Sequence, residues 1–462
     1  MHPTTLTVVG GGPGGYVAAI RAAQLGLSVT LVEKENLGGV CLNWGCIPTK
    51  ALLTCAEAYE NLASLEKLGI KVENASFDLG AMVDHSRQTS EKLCGGIAFL
   101  MKKSGIKVIK GHARLSGKKG EKHLVGVEGN TPQTLETDHV ILATGARPVV
   151  LPGMEVDGKH IWTSKEAMLQ RTLPKSLLVL GSGAIGLEFA SFYKSLGTDV
   201  TVVELQDRLL PVADPFLSDE LHKAFQKRGI TCRLGCKALN AKVERGTLQL
   251  SLEGGEALSA DALLLAVGVR GNTENLGLKE AGVTLHKGRI QVNAYGETSA
   301  PGVYAIGDVT DEPWLAHKAS HEGIVAAEHL AGHGPHTLSK QAIPSCVYSA
   351  PQIASIGLTE PEATAAGYDL AVGHFPFSAN GKALAMGLKD GAIKTIFDKK
   401  TGAFLGAHMI GAHVTELVAT FSLAKIMEAT DEELAHTVFP HPTLSEMLHE
   451  SVLSAIGRGI HA

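Results

Sequence analysis

Leu6-Thr7-Val8-Val9-Gly10-Gly11-Gly12-Pro13-Gly14-Gly15 is the stretch whose reading decides the fold. The apolar, β-branched run predicts a short buried strand, and the glycines predict a sharp turn into a helix ending near Leu25. Gly10 permits the turn, Gly12 lets backbone approach a pyrophosphate, and Gly15 lets helix pack on strand. The amides of the helix N-terminus, just past Pro13 and Gly14, favour an anion. A second strand, Val29 to Val32, ends at Glu33, about 20 residues downstream, where a carboxylate accepts from ribose hydroxyls. A glycine run alone also describes an ordinary turn. The strand, helix and terminal acid around this one make it a dinucleotide-binding unit.

The unit recurs. Leu177 to Leu180 predicts a strand, Gly181-Ser182-Gly183-Ala184-Ile185-Gly186 a second loop, and Val200 to Val203 a strand ending at Glu204. Two complete units predict an α/β protein with two Rossmann-like dinucleotide-binding domains. Glu204 would bond a free ribose 2′-hydroxyl and repel a 2′-phosphate, which favours NAD over NADP; Arg208 nearby reads as a solvated surface arginine. Three further buried strands are predicted: Val140 to Ala143 before Thr144-Gly145, Ala262 to Ala266 before the Gly268-to-Arg270 turn, and Val303 to Ile306 before Gly307-Asp308. Their ends belong at the carboxyl edge of a sheet, although Gly307-Asp308 alone reads equally as a turn. A helix from Ala316 to Leu330 would aim its N-terminal amides at the same region.

Between these landmarks, helices are expected from Lys50 through Leu62 and from Met82 to Lys103, a single strand over Gly105 to Ala113, and hairpins over Ser116 to Gly129. Pro148 and Pro152 mark a domain crossing. Beyond Pro344, strands at Cys346 to Tyr348, Ile353 to Ile356, Ile393 to Phe397 and Phe404 to Ile410, with helices from Val414 and Leu444, predict a C-terminal α+β domain with helices on one side of an antiparallel sheet. The expected division is 1–149, 150–272, 273–343 and 344–462.

The 44% hydrophobic and 19% charged residues fit a soluble globular chain, and a net charge of -5 without a basic run argues against nucleic acid or an anionic membrane as partner. The N-terminus shows no targeting segment, and no run is long enough to span a bilayer. Seven scattered cysteines do not resemble a secreted disulfide framework, so the cytoplasm is the expected compartment.

Chemistry concentrates in Gly38-Gly39-Val40-Cys41-Leu42-Asn43-Trp44-Gly45-Cys46-Ile47-Pro48-Thr49-Lys50. In a regular helix Cys41 and Cys46 would stand roughly 7.5 Å apart along the axis on different faces. A bridge between them would require the backbone to leave helical geometry, which Asn43 and Gly45 tolerate. Unpaired thiols, a structural crosslink, or half of a zinc site with Cys232 and Cys236 remain open. Near the C-terminus, His441-Pro442-Thr443-Leu444-Ser445-Glu446 reads as a surface histidine beside a capping box made by Thr443 and Glu446.

Together, the two glycine units, the cysteine stretch, Ala143-Thr144-Gly145, Gly307-Asp308 and the His441-to-Glu446 segment resemble the dihydrolipoamide dehydrogenases among the FAD-dependent pyridine nucleotide disulfide oxidoreductases. The resemblance covers nearly the whole chain. It implies that Cys41 and Cys46 form a redox-active disulfide over a flavin, Cys41 exchanging with lipoamide and Cys46 facing FAD. It implies that His441 is the base, oriented by Glu446, and that Lys50 pairs with Glu188 near the flavin. FAD would be held by Gly10, Gly12, Pro13, Gly14, Gly15, Glu33, Lys34, Gly39, Val40, Lys50, Ala113, Thr144, Gly145, Gly307, Asp308 and Ala316. NAD would be held by Gly181, Gly183, Ala184, Ile185, Gly186, Glu204, Gly268 and Arg270.

The same resemblance implies a homodimer in which the histidine serves the partner's site, and lipoyl-bearing proteins of a 2-oxo acid dehydrogenase or glycine cleavage complex as partners. No lipoyl-type domain precedes the first strand, so the lipoyl group is expected on another protein. Val40 and Trp44 depart from the smaller or differently shaped residues common at those positions. Glutathione and mercuric reductases share the cysteine stretch. Glu204 argues against the NADPH of the first, and the last cysteine, Cys346, lies too early for the C-terminal pair of the second.

Overall fold

The computed structural model describes residues 4–461; residues 1–3 and 462, the extreme ends of the first and last expected segments, lie outside the described residues. A five-stranded sheet runs in the order Val303–Ala305, His139–Leu142, Thr5–Val9, Ser28–Glu33, Lys107–Lys110, with every neighbour parallel. A second five-stranded parallel sheet repeats it as Ile161–Trp162, Ala262–Leu265, Ser176–Leu180, Asp199–Val203, Thr231–Arg233. In each, the central strand feeds a glycine loop and the next strand ends in an acid. The central strands are buried on both faces, as a parallel sheet covered by helices requires. Each unit also carries a three-stranded antiparallel meander, over His112–Thr137 and Ala238–Ala260.

The chain passes between the two units through one antiparallel ribbon, Ala146–Pro148 against Val269–Gly271, so outgoing and returning crossings are hydrogen-bonded to each other. Thr144 Oγ1 donates to the Asn272 carbonyl at 2.8 Å, and Asn272 Nδ2 returns a bond to the Thr144 carbonyl at 2.9 Å.

The expected single strand over Gly105 to Ala113 divides at Gly111. Gly111 N donates to the Glu33 carbonyl, and a side chain there would press on the Glu128 carbonyl, so the chain leaves the parallel sheet and enters the meander at this point.

The C-terminal sheet is antiparallel and five-stranded: Ser345–Val347, Gln352–Gly357, Phe404–Gly411, Ala392–Asp398, Leu370–Pro376. Leu370–Pro376 escaped sequence reading because Gly373 and Pro376 weaken the strand pattern. Gly373 is required by the helix Glu446–Ala455, whose Ser451 carbonyl leaves no room for a Cβ. The helices Val414–Ile426 and Glu446–Ala455 cover one face. Against expectation, helix Pro215–Lys227 of the second unit packs on the other, so Phe404–Gly411 is buried throughout.

That junction holds an ion cluster. Asp214, fully buried, caps the helix by accepting from Phe216 N at 3.0 Å, and also accepts from Glu360 N and Lys394 Nζ, each at 2.9 Å. Burial pushes the Asp214 carboxyl up, but the Glu360 amide, His408 and Lys394 outweigh it and hold the group below the usual carboxylate range. Asp214→Asn leaves Lys394 with Glu360 Oε2, 2.6 Å away, as its carboxylate partner, and chemical denaturation should show a loss of about 1.5–3 kcal/mol, the range of a hydrogen bond to a charged group. Since the folded carboxyl is depressed, its contribution is complete above the ordinary carboxylate range and is lost as pH falls through the folded value. An unchanged denaturation midpoint would remove the cluster from any role in joining the domains. Among the described residues no helix is long and apolar enough to cross a membrane.

Candidate active site

Both glycine loops are shaped by the same contacts. Gly10 and Gly181 have φ of +107° and +101°, and a methyl group on either would overlap the last carbonyl of the neighbouring strand, Ala143 or Ala266. A methyl on Gly15 or Gly186 would strike the Gly10 or Gly181 carbonyl beneath it. In contrast, nothing lies within 4 Å of a Cβ at Gly183, and only Gly39 Cα, at 3.8 Å, approaches one at Gly12. The loops are tight below and open above, where the helices Pro13–Gln24 and Ala184–Ser195 direct their first amides.

Each strand-ending acid ties down its loop. Glu33 accepts from Gly11 N at 2.6 Å and from Glu35 N at 2.7 Å. Glu204 accepts from Ser182 N at 2.8 Å, Ser182 Oγ at 2.7 Å and Gln206 N at 2.9 Å. Lys34 is exposed beside Glu35. Arg208 is half-buried rather than freely solvated, because its guanidinium donates to the Pro211 carbonyl at 2.7 Å. Gly268 has φ of +110°, and Arg270, exposed, lies 3.5 Å from Glu274.

The cysteine stretch is a broken helix. Gly38 and Gly39 take positive φ, and Gly39 sits so close to Gly12 that a Cβ would meet its Cα at 2.7 Å, which seats the stretch on the first loop. Helix Gly39–Trp44 stops at Gly45, whose φ of -148° and ψ of -115° are not helical, and a new helix runs from Cys46 to Leu62. The break sets the Cys41 and Cys46 side chains beside each other.

Their acidities diverge. The hydrogen bond from Cys41 pulls the Cys46 thiol down, burial opposes it, and Lys50 pulls it further down. That same bond, then burial, pushes Cys41 well up. Ionisation is thus favoured at Cys46 over Cys41. Cys232 and Cys236 instead donate to the Ile230 and Leu234 carbonyls of their own segment and do not join them.

Several residues around the stretch gave no signal in the sequence. Asn43 Nδ2 donates to the Leu37 and Gly39 carbonyls at 3.0 and 2.8 Å, and Arg87 donates to the Asn43 carbonyl at 2.6 Å. Trp44 is held between the Arg87 guanidinium, 4.8 Å from its ring centre, and the Lys165 ammonium, 4.6 Å away. Its ring packs on a core to which both units contribute, and its contact with Lys165 joins the first unit to the second at this departure from the common pattern. Val40 is exposed.

Lys50 Nζ reaches both Glu188 oxygens at 2.9 and 2.8 Å, and the Glu188 side chain is only 6% exposed, not a solvated helix residue. Gly307 and Asp308 lie at the carboxyl edge of the first sheet, in a turn fixed by Gly307 N donating to Glu322 Oε2 at 2.8 Å. Burial pushes the Asp308 carboxyl up, Lys318 partly offsets this, and no donor among the described residues reaches it. Ala316 opens the helix Ala316–Leu330, and Ala113 is a buried residue of the meander. A hydroxyl-rich dinucleotide suits this edge: an open glycine loop for its phosphates and, in Asp308, a half-buried acceptor without a donor.

His441 Nδ1 lies 2.9 Å from Glu446 Oε1, leaving Nε2 free, and the imidazole is 78% exposed. Of the expected capping box only the carboxylate half forms, with Glu446 accepting from Thr443 N, while the Thr443 hydroxyl turns elsewhere. The helix begins at Glu446 itself, Thr443 Oγ1 donates to the Pro440 carbonyl, and Glu446 accepts from Thr443 N at 2.8 Å. Burial raises the Glu446 carboxyl, while the Thr443 amide and His441 more than compensate, so it stays below its usual range. Among the described residues no hydrogen bond joins His441 to either thiol. Val438, three residues before His441, is an exposed apolar residue, as are Leu423, Ile426 and Met427 in the same domain.

Residues 4–323 match the family model described as pyridine nucleotide-disulphide oxidoreductase. The chain belongs to this family. Residues 343–452 match the dimerisation domain of the pyridine nucleotide-disulphide oxidoreductases. A dihydrolipoyl dehydrogenase from Rhizobium etli is 48% identical, covering 98% of this chain and 98% of its own. One from Zymomonas mobilis is 47% identical over 99% and 98%, and one from Bacillus subtilis 43% over 99% and 98%. Among the pyridine nucleotide-disulphide oxidoreductases, the chain thus groups with the dihydrolipoyl dehydrogenases, whose cofactors are FAD and NAD. The crystal structure of LpdA from Mycobacterium tuberculosis aligns with a TM-score of 0.92 at 27% identity, covering 97% of this chain and 99% of that one. The flavoprotein disulfide reductase RclA from Escherichia coli aligns at 0.87 and 26% identity over 97% and 99%.

Proposed function

We propose that the protein oxidises protein-bound dihydrolipoamide to lipoamide and reduces NAD, through a Cys41–Cys46 disulfide that opens and closes in each cycle. The observation that carries this reading is the helix break at Gly45, which sets Cys41 and Cys46 side by side where Gly39 packs on the first glycine loop, with Lys50 one turn beyond Cys46 and lowering its thiol. FAD, when bound, supplies a two-electron relay from the Cys46 thiolate to NAD.

The protein's own groups do the rest. With its Nδ1–H directed at Glu446, neutral His441 takes a proton from a substrate thiol at Nε2. The thiolate so formed attacks Cys41 Sγ, the Cys41–Cys46 bond breaks, and Cys46 leaves as the more stable thiolate. The second substrate thiol then attacks the lipoyl sulfur of the mixed disulfide, closing the lipoyl ring and releasing Cys41. Glu446 orients the imidazole and stabilises its charged form.

In this reading 1–149 and 273–343 form the FAD-binding part, 150–272 binds NAD, and 344–462 makes a homodimer in which His441 serves the partner's thiols. The high exposure of His441, and of the apolar Val438, Leu423, Ile426 and Met427 in the same domain, supports this last assignment. The lipoyl-bearing partners are those of a 2-oxo acid dehydrogenase or glycine cleavage complex, and the compartment is the cytoplasm.

The test pairs free dihydrolipoamide plus NAD with glutathione plus NADPH. Turnover of the first pair alone is expected; turnover of the second alone would replace the reading with a glutathione reductase. Glu204→Ala should narrow the preference for NAD over NADP by about 10- to 100-fold in kcat/KM, the value of a hydrogen bond to a charged group. An unchanged preference would show that Glu204 serves only the Ser182 turn.

A further inference from the structure

We propose that Tyr348 is a positioning residue for the redox dithiol, its ring fixing the Lys50 ammonium on the helix face that carries Cys46. The proposal rests on reading Cys41 and Cys46 as the redox pair. Cys46 and Lys50 are four residues apart on one helix and therefore share a face. Three parts of the chain converge on Lys50. Its own helix belongs to the first unit, Glu188 comes from helix Ala184–Ser195 of the second, and Tyr348 follows strand Ser345–Val347 of the C-terminal domain.

The ammonium stands 4.5 Å from the centre of the Tyr348 ring while Glu188 holds it from another side. Tyr348 N donates to the same Glu188 carboxylate at 3.0 Å, and two residues on, Ala350 N donates to Ser191 Oγ at 3.1 Å. The C-terminal segment is thus laid along one face of the Glu188 helix, with the aromatic ring delivered to Lys50 by backbone bonds that do not depend on the side chain. Among the described residues the phenol oxygen makes no hydrogen bond, so the ring face rather than the hydroxyl makes the contact. Burial raises the phenol to about 12, and it remains neutral throughout the working range.

The charges facing Cys46 are few. Cys41 comes from the short helix, Lys50 from its own, Glu188 from the second unit, and Tyr348 from the C-terminal domain; Asp308 and Tyr16 face Cys41, and Cys346 and Glu416 face Tyr348. Lys50 lowers the Cys46 thiol and Glu188 raises it, so the position of the ammonium between them sets the balance. Without the ring, Lys50 has one anchor fewer, spends more time away from Cys46, and stabilises its thiolate less.

The experiment uses the FAD-loaded dimer reduced anaerobically by dihydrolipoamide, with the long-wavelength absorption of the thiolate titrated against pH. In Tyr348→Leu and in Tyr348→Met the midpoint should rise by about 0.5–1 pH unit, and in Tyr348→Phe, which keeps the ring, it should stay at the wild-type value. Two apolar variants are included so that misfolding of one does not end the test. A midpoint unmoved in the folded apolar variant, or moved equally in Tyr348→Phe, overturns the proposal, since a purely structural tyrosine would change melting temperature and leave the titration in place. Absence of the band in the unmodified protein would instead count against the redox reading itself.

Discussion

Cys46→Ser should abolish turnover of dihydrolipoamide with NAD, a fall on the order of 10⁴-fold or more, while the protein still folds. The size follows from chemistry rather than packing. A serine oxygen cannot close a disulfide with Cys41 or leave as a stabilised thiolate, and both steps pass through this one atom. Cys46 opens a helix after the Gly45 break and accepts the Cys41 hydrogen bond, a contact that a hydroxyl can keep, so melting temperature should hardly move. Cys41→Ser should be equally inactive. Steady-state rates and thermal melts on the two variants decide the matter: activity within tenfold of the unmodified protein in either would remove the dithiol from the mechanism.

His441→Gln should lower kcat by about 10²- to 10⁴-fold, the range of a lost general base, with little change in stability because the ring is exposed. Glu446→Gln should act in the same direction and more weakly, since it orients the base without receiving the proton. The Glu446 carboxyl is held below its usual range by the Thr443 amide and His441, which favours the charged form that orients the imidazole. Co-expression with Cys46→Ser separates the two possible placements of the histidine. If it serves the partner subunit, mixed dimers contain one site with both cysteines and a histidine, and activity returns. If it serves its own chain, every site stays defective and none returns.

The glycine loops and buried strands were legible in the sequence because their reasons are local: a positive φ, a carbonyl beneath a glycine, a run of residues buried on both faces. Gly10 and Gly181 show this directly, as does Gly45, where the predicted departure from helix occurs. What stayed hidden depends on residues far apart in sequence. Arg87 reaches the Asn43 carbonyl from another helix, Lys165 closes on Trp44 from the second unit, and Tyr348 arrives from the C-terminal domain. The strand Leu370–Pro376 was obscured for the same reason, since Gly373 answers to a helix almost eighty residues later. Thr443 and Glu446 fit a capping box by spacing, yet the carboxylate is shared between Thr443 N and His441 and the helix starts later than the motif implies.

The most direct test of the central claim is rapid anaerobic mixing of the FAD-loaded protein with dihydrolipoamide, followed by absorbance on the long-wavelength side of the flavin bands. The account predicts a new band from a thiolate lying against the flavin, formed before any NADH appears, and no such band in Cys46→Ser. A band of equal size in that variant, or NADH formed by the unmodified protein without it, would contradict a relay that begins at Cys46.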